Sequence, residues 1–153
     1  MTVLLPDPAA TARLGAALGL VLRTGDVVAL TGDLGAGKSA LSRAAIRARL
    51  GDPEAEVPSP TFTLVQTYEA ADLEIWHVDL YRLDDRADAI ELGLDEAFAE
   101  AASLIEWPDR LGTDLPAQAL RIEIVHDGEG RQARITAPAE WHNRIDEVIR
   151  DAD

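Results

Sequence analysis

Apolar and polar residues along the chain follow two different periods, which predicts alternating strands and helices over the first third and hairpins further on. In chain order, the early elements are a strand over residues 3–5, a helix over 9–22, a strand over 27–30 and a helix over 39–50. Later come a hairpin of residues 63–69 and 73–79, a short acidic helical region, a brief buried strand over 103–106, and a hairpin of 120–126 and 132–137. Apolar residues at helical spacing predict a closing helix whose stripe is formed by Trp141, Ile145, Val148 and Ile149.

This order of elements predicts an α/β fold with a mixed β-sheet and helices on both of its faces. The chain has 153 residues, which is the size of one domain, and we expect a single domain spanning residues 1–153. It contains no cysteine, so disulfides and thiolate metal sites are excluded. No apolar stretch approaches membrane length and the first residues carry no basic leader, so we expect a soluble cytoplasmic protein with no membrane partner.

The charge balance argues against direct binding of nucleic acid. Fourteen basic and twenty-eight acidic residues give a net charge of −14 and a pI near 4.5, whereas affinity for DNA or RNA depends largely on neutralising phosphates. Acidic residues concentrate between residues 84 and 100, with Arg86 as the only basic residue among them. This segment is interpreted as a solvated helical face, with a docking surface for a basic partner as the alternative. Three arginines of the predicted helix 39–50, Arg43, Arg47 and Arg49, are expected to face solvent.

Residues 32–39, Gly-Asp-Leu-Gly-Ala-Gly-Lys-Ser, match the phosphate-loop pattern GxxxxGK[ST] between a predicted strand and a predicted helix. Their glycines let successive N–H groups point into one concavity, towards which the following helix directs its positive dipole end. Lys38 is the only lysine beside thirteen arginines, and its compact ammonium suits the terminal phosphates of a nucleotide. Ser39 in the first helical turn offers a hydroxyl to Mg²⁺. The pattern therefore predicts a nucleotide site of the P-loop NTPase type.

A phosphate loop needs an acid at the end of a neighbouring strand to complete the Mg²⁺ shell. Asp79 ends one predicted strand and Glu106 ends another, and the sequence leaves open which of them touches the metal. The extended segment 58–62 lies where a switch segment would sit, and a hydroxyl of Ser59 or Thr61 would contact the terminal phosphate or its metal; an ordinary stiff connection is the alternative. His77 is interpreted as a packed strand residue rather than a zinc ligand, since His126 and His142 are remote in sequence and the chain has no cysteine to join them.

Three other functions are compatible with a phosphate loop. A small-molecule kinase needs a lid with arginines that clamp the transferred phosphate, but the region of residues 80–100 is acidic, with Arg82 and Arg86 as its only basic residues. A GTPase switch needs an Asn-Lys-x-Asp segment after a strand, whereas the only asparagine, Asn143, lies in the amphipathic closing helix. A nucleotide-gated adaptor without useful hydrolysis is separated poorly from an ATPase by sequence.

Four segments together resemble the TsaE family, also called YjeE: the phosphate loop, SPTFTLV at residues 59–65, HVDLYRL at 77–83 and IEWP at 105–108. Weaker matches at residues 5–7 and 130–134 extend the resemblance to nearly the whole chain. It implies a small ATPase that uses ATP/ADP and Mg²⁺ and supports threonylcarbamoyladenosine modification of the tRNA adenosine beside the anticodon. Its implied partners are the TsaD and TsaB proteins, which would hold the tRNA, and its hydrolysis is expected to be slow without them.

The resemblance also implies roles for individual residues. Lys38, Asp79 and Glu106 would be catalytic, with Asp79 as the Walker-B-like acid. Ser39, Asp79 and Glu106 would hold the metal; the family more often has Thr where Ser39 stands, and both residues supply a hydroxyl. The residues expected at the nucleotide, including those closing over the adenosine end, are Pro8, Asp33, Leu34, Gly35, Ala36, Gly37, Lys38, Ser39, Ala40, Thr61, Trp107 and Gly130.

Overall fold

The fold is described from a computed structural model, which covers the backbone of residues 1–153 and every side chain except that of Arg86. The strands are β1 Thr2–Leu5, β2 Val27–Thr31, β3 Val65–Glu69, β4 Glu74–Asp79, β5 Ala102–Glu106, β6 Leu120–Asp127 and β7 Gly130–Thr136. The helices are α1 Pro8–Val21, α2 Lys38–Leu50, α3 Arg86–Glu91, α4 Leu94–Glu100 and α5 His142–Asp151, with 3-10 helices at Pro108–Asp114 and Ala139–Trp141. None of the helices in this described chain is long and apolar enough to cross a membrane.

All seven strands form one sheet in the order β1-β7-β6-β2-β5-β4-β3. The four central strands, β6, β2, β5 and β4, run parallel to one another. Antiparallel strands complete the two edges, with β7 and β1 beside β6 and with β3 beside β4. The predicted mixed sheet is therefore confirmed, and the carboxyl ends of its parallel strands meet at one edge, where ligands bind in open α/β sheets.

Helices cover both faces of the sheet, as the sequence predicts. Along β2, Val28 and Leu30 belong to the hydrophobic cluster formed with α1, α2 and α5, whereas Val27 and Ala29 belong to a second cluster with α3, α4 and the 3-10 helix Pro108–Asp114. All four side chains are buried. A strand with apolar residues at every position is typical of a parallel sheet covered on both sides, which explains the continuous apolar run before the phosphate loop.

Two glycines allow α1 to pack directly against α2. A Cβ atom added at Gly15 would lie 2.4 Å from the carbonyl oxygen of Leu41, and one added at Gly19 would lie 2.1 Å from that of Ala45. Both distances are far inside van der Waals contact, so only glycine permits this approach. The first helix therefore lies in direct backbone contact with α2, which starts at Lys38.

The structure shifts two predicted elements. The strand predicted over 63–69 starts at Val65, because Leu64 adopts a left-handed conformation with φ 67° and donates its N–H to the carbonyl of Pro60 at 2.7 Å. Trp141, predicted on the closing helix, ends the preceding 3-10 helix instead, while Ile145 and Val148 of α5 are buried as expected. These differences fall at element ends, where local propensity is weakest.

The expectation that three arginines of α2 face solvent is wrong. The Nε of Arg43 donates to the carbonyl of Val57 at 3.2 Å, and that of Arg47 to the carbonyl of Ala55 at 2.9 Å. Arg49 reaches the carbonyls that end α1, including that of Leu22 at 2.8 Å. Irregular segments have carbonyl groups that need donors, and long guanidinium side chains on a nearby helix supply them.

Candidate nucleotide-binding site

The phosphate loop connects the end of β2 to the start of α2. Its three glycines have positive φ values of 146° at Gly32, 79° at Gly35 and 116° at Gly37, a region that other residues enter only with strain. Gly32 also meets its neighbour closely, because an added Cβ would lie 2.6 Å from the carbonyl oxygen of Ile124 on β6. The loop therefore has the curled backbone that the sequence pattern predicts, with the amino end of the thirteen-residue helix α2 behind it.

Lys38 lies inside the loop, with 4% of the residue exposed. Its ammonium donates hydrogen bonds to the carbonyls of Gly32 and Asp33, the second at 3.4 Å, and lies 3.9 Å from the centre of the Trp107 ring. Burial lowers the pKa of Lys38, whereas the charges of Glu106 and Asp79 act in the opposite direction. The ammonium is thus directly held by neutral groups, which leaves its charge available to an anionic ligand.

Asp79 and Glu106 end two adjacent parallel strands and are paired in register across β4 and β5. Both residues are buried, with 5% and 2% exposed. The hydroxyl of Ser39 lies 3.0 Å from each carboxylate oxygen of Glu106 and donates to them. The side chain of Asp79 accepts from the hydroxyl of Thr61 at 3.3 Å and from the backbone N–H of Tyr81 at 3.0 Å. The two acids predicted from strand ends therefore lie together beside the loop.

Ser39, Asp79 and Glu106 offer a hydroxyl and two carboxylates, the hard oxygen donors that Mg²⁺ prefers. Among the described side chains, no group of three or more His, Cys, Asp or Glu residues is arranged to hold a metal by itself. Mg²⁺ is typically bound by one or two carboxylates together with substrate phosphates and water. The donor set fits an ion that arrives with a nucleotide. Asp79 and Glu106 are register partners on the adjacent strands β4 and β5, so one ion can contact both carboxylates.

Two cavities meet at the phosphate loop and share Gly35, Gly37 and Ala40. One, of about 280 Å³, contains the charged groups and is lined by Leu34, Gly35, Gly37, Lys38, Ser39, Ala40, Thr61, Asp79, Glu106 and Trp107. The other, of about 220 Å³, lies between the loop, the start of α1 and the β6–β7 turn, and is lined by Leu5, Pro6, Asp7, Pro8, Thr11, Gly35, Ala36, Gly37, Ala40, Glu129, Gly130 and Arg131. Every residue predicted for the site lines one of them, except Asp33, whose carbonyl accepts from Lys38 and from the N–H of Ala36.

The segment predicted as a switch is tied to the end of β4. The hydroxyls of Ser59 and Thr61 lie 2.8 Å apart, and Thr61 continues to Asp79. The carbonyl of Leu64, the residue with the left-handed backbone, accepts from the N–H of Asp79 at 2.9 Å. Phe62 between these contacts is 80% exposed. Two hydrogen bonds therefore join Asp79 directly to this segment and its flank.

Sequence reasoning missed two features of the site. His77 is packed in the sheet as predicted, but its Nε2 also lies 2.7 Å from Oε2 of Glu106, a link whose only signal in the sequence was its position two residues before Asp79 on one strand face. Trp107 adopts a left-handed backbone with φ 59° and its ring lies 5.0 Å from that of Tyr81. No local signal in the sequence predicted this conformation, since the residue before a proline usually has an extended backbone.

Comparison with known proteins identifies the family. The profile of the Threonylcarbamoyl adenosine biosynthesis protein TsaE matches residues 5–135. The chain belongs to the TsaE family. Two relatives are the tRNA threonylcarbamoyladenosine biosynthesis proteins TsaE of Rickettsia bellii, 36% identical over 78% of this chain and 83% of the relative, and of Bacillus subtilis, 35% identical over 86% and 82%.

A solved structure agrees with this assignment. The crystal structure of Bacillus subtilis YdiB superimposes with a TM-score of 0.82 at 28% identity and covers 100% of this chain and 96% of that one. The predicted α/β fold is therefore confirmed at the level of the whole chain. The predicted TsaE resemblance is also confirmed, and with it a function in tRNA threonylcarbamoyladenosine biosynthesis.

Proposed function

We propose that this TsaE-family chain binds ATP and ADP at the phosphate loop and hydrolyses ATP slowly, with Mg²⁺, in support of tRNA threonylcarbamoyladenosine modification. The observation that carries the proposal is the convergence of Lys38, Ser39, Asp79 and Glu106 on one cavity at the mouth of the loop. A glycine-rich turn without a ligand would not need a buried ammonium and two buried carboxylates, because burial disfavours each charge.

The nucleotide would lie across both cavities. The triphosphate tail belongs in the cavity of Lys38, where the loop N–H groups and the amino end of α2 supply donors and positive potential. The nucleoside belongs in the cavity between Pro8 and Gly130, which contains backbone groups and apolar surface suited to a flat ring. The two cavities join at Gly35 and Gly37, so a phosphate chain can pass between them without crossing a side chain.

Ser39, Asp79 and Glu106 would hold Mg²⁺, which when bound neutralises charge on the phosphoryl oxygens. The protein's own contribution is positioning: Lys38 orients the outer phosphates, and Asp79 fixes the hydroxyl of Thr61 beside them. Either carboxylate would accept a hydrogen bond from the attacking water. No described side chain lining this cavity is an arginine, so the isolated chain lacks the additional charge stabilisation that an arginine finger supplies. Hydrolysis is therefore expected to be slow.

The partners we propose are TsaD and TsaB, with tRNA reached only through them. The net charge of −14 supports this division, because a strongly acidic chain gains little from direct contact with a polynucleotide. The same charge supports docking onto basic protein surfaces by long-range attraction. The family's role in tRNA modification supports a cytoplasmic location.

Equilibrium binding of ATP, ADP and GTP, with and without Mg²⁺, tests the nucleotide assignment directly. We expect ATP and ADP to bind, Mg²⁺ to strengthen the binding, and phosphate release from ATP to be slow in the isolated chain. A pull-down from a bacterial lysate, run with and without ATP, tests the partners by recovery of TsaD and TsaB. Preference for GTP, or transfer of labelled phosphate to a small molecule instead of water, would contradict the proposal in favour of a GTPase switch or a kinase.

A further inference from the structure

His77 and Glu106 form a buried pair that the binding of a nucleotide does not by itself explain. His77 is 1% exposed on β4, and its Nε2 lies 2.7 Å from Oε2 of Glu106 on β5. The imidazole lines neither of the two cavities at the phosphate loop. Its only described side-chain partner is a carboxylate that does line one of them, so its contact with the site passes through Glu106.

The sheet register fixes this contact. His77 is paired with Leu104 across β4 and β5, and Asp79 is paired with Glu106. Glu106 is therefore the diagonal neighbour of His77, two residues further along β5 on the same face, a distance that long side chains span. Both strands are central in the sheet and carry helices on both faces, so both side chains lie in the interior of the protein.

The hydrogen bonds of the imidazole define its tautomer. Within the described part of the chain, Nδ1 of His77 is buried and has no hydrogen-bond partner. A proton on Nδ1 would therefore be a buried donor without an acceptor, which is unfavourable. An unprotonated Nε2 is also unfavourable, because its lone pair would face the lone pairs of the Glu106 carboxylate. The arrangement that avoids both is the neutral imidazole with its proton on Nε2, donated to Oε2 of Glu106. The positive charge facing Glu106 then comes from Lys38.

We propose that His77 is a positioning residue: its Nε2–H holds Glu106 in the one orientation in which the carboxylate faces Ser39 and the phosphate cavity. A glutamate carboxylate can rotate about the bonds of its side chain. The Ser39 hydroxyl does not fix this rotation by itself, because it lies 3.0 Å from both oxygens of Glu106 and does not distinguish between them. The imidazole does, because it contacts Oε2 alone. Partners of this kind fix the direction of metal-associated side chains, and their loss typically lowers metal affinity or activity about 10- to 100-fold.

The inference rests on the proposed ATPase function, and two variants of His77 test it. His77→Leu keeps apolar volume but has no donor, whereas His77→Gln keeps an N–H that reaches Glu106. We expect His77→Leu to lower kcat for ATP hydrolysis, and Mg²⁺ affinity of the ADP complex, about tenfold or more, with little change in Mg²⁺-free ADP binding. His77→Gln should recover most of both losses. Ile75→Val, which trims another fully buried side chain of β4, should leave both quantities unchanged and controls for a weakened sheet.

A second measurement needs no nucleotide. In the ligand-free protein, long-range ¹H–¹⁵N correlation spectra report which nitrogen of His77 carries the proton, with the His77→Gln variant assigning the signal. We expect the Nε2–H form with slow proton exchange, and a displaced signal in Glu106→Gln. A proton on Nδ1, or equal kcat in His77→Leu and the wild type, would overturn the inference while leaving the ATPase proposal intact. A wild-type chain that binds no adenine nucleotide would overturn both.

Discussion

Replacing Lys38 by alanine separates two effects of its ammonium: hydrogen bonding to the carbonyls of the phosphate loop and attraction of phosphate. A hydrogen bond to a charged group contributes about 1.5–3 kcal/mol net, which corresponds to a loss of about 10- to 140-fold in ATP affinity at about 1.4 kcal/mol per tenfold. In the wild type this charge is buried to 4% exposure against neutral carbonyls and the Trp107 ring. We therefore expect ATP binding by Lys38→Ala to weaken by at least tenfold, even in the absence of Mg²⁺.

The same substitution should leave the folded state almost as stable. One contribution favours the wild type: the cation–π contact with Trp107, about 0.5–2 kcal/mol, together with the hydrogen bonds to the carbonyls of Gly32 and Asp33. Burial acts in the opposite direction: it lowers the pKa of Lys38 and outweighs the attraction of Glu106 and Asp79. Without a nucleotide, the site as a whole therefore disfavours the charged form of Lys38. The two contributions oppose each other, and we expect the free energy of unfolding to change by about 1 kcal/mol or less.

The lowered pKa gives the prediction a signature in pH. The ammonium of Lys38 loses its proton below the ordinary lysine value of 10.5, so Mg²⁺-free ADP affinity should fall as pH rises through this lowered pKa. Lys38→Arg should bind more weakly than the wild type at neutral pH, because a planar fork does not fit a point-charge position, but it should not show this alkaline decline, since arginine stays charged. Titration calorimetry at a series of pH values measures both effects.

Arg121→Ala is the matched control, because it removes one positive charge from an exposed position on β6. It should bind ATP like the wild type, and urea denaturation of all variants should show comparable stability. The reasoning would be refuted if Lys38→Ala bound ATP within threefold of the wild type, or if Arg121→Ala lost as much affinity as Lys38→Ala.

Three further substitutions test packing and metal binding. Among the described groups the Tyr68 hydroxyl is buried without a partner, and burial raises its pKa. Ionisation of this hydroxyl therefore destabilises the fold: the free energy of unfolding is unaffected below pH 10.0 and falls as pH rises through the folded pKa. Tyr68→Phe removes the unpaired hydroxyl and should add about 1 kcal/mol at pH 7 and flatten the alkaline loss in urea denaturation. Gly19→Ala should lower the free energy of unfolding by about 1–3 kcal/mol, because its Cβ would meet the Ala45 carbonyl; an unchanged melting temperature would contradict the α1–α2 contact. Ser39→Ala should reduce the Mg²⁺-dependent gain in ADP affinity about tenfold, with Mg²⁺-free binding kept as the internal comparison.

The parts of this molecule that sequence predicts well are those specified by neighbours in the chain. The apolar run of β2, the glycines of the loop and the helical spacing of α2 follow one another within residues 27–50, and the structure reproduces them with a loop of the expected backbone geometry. Asp79 and Glu106 are also recognisable as candidates in the sequence, because an acid at the end of a buried strand stands out without knowing which strands are adjacent.

The features that sequence did not predict depend on pairing between distant segments. The contact of His77 with Glu106 requires β4 and β5 to be parallel neighbours in one particular register, which no pattern within either strand specifies. The contacts of the α2 arginines also escape prediction. The carbonyls of Ala55 and Val57 that they bind belong to a segment without regular structure, whose position no sequence pattern specifies. Such contacts are set by tertiary packing, which overrides the local preference of a charged side chain for water.

The position of β5 between β2 and β4 explains why Glu106 is the most constrained acid of the site. From this central strand its carboxylate meets Ser39 at the start of α2 on one side and His77 of β4 on the other. Side chains alternate between faces along a strand, so a slip of one residue in the β4–β5 register would turn Glu106 towards the opposite face and bring Ile105 to the phosphate loop. Leu104 and Ile105 are both fully buried and belong to the clusters on opposite faces, so such a slip would also exchange the apolar residues that each helix layer contacts. The same packing that makes the sheet stable therefore fixes the distance between the carboxylate and the loop.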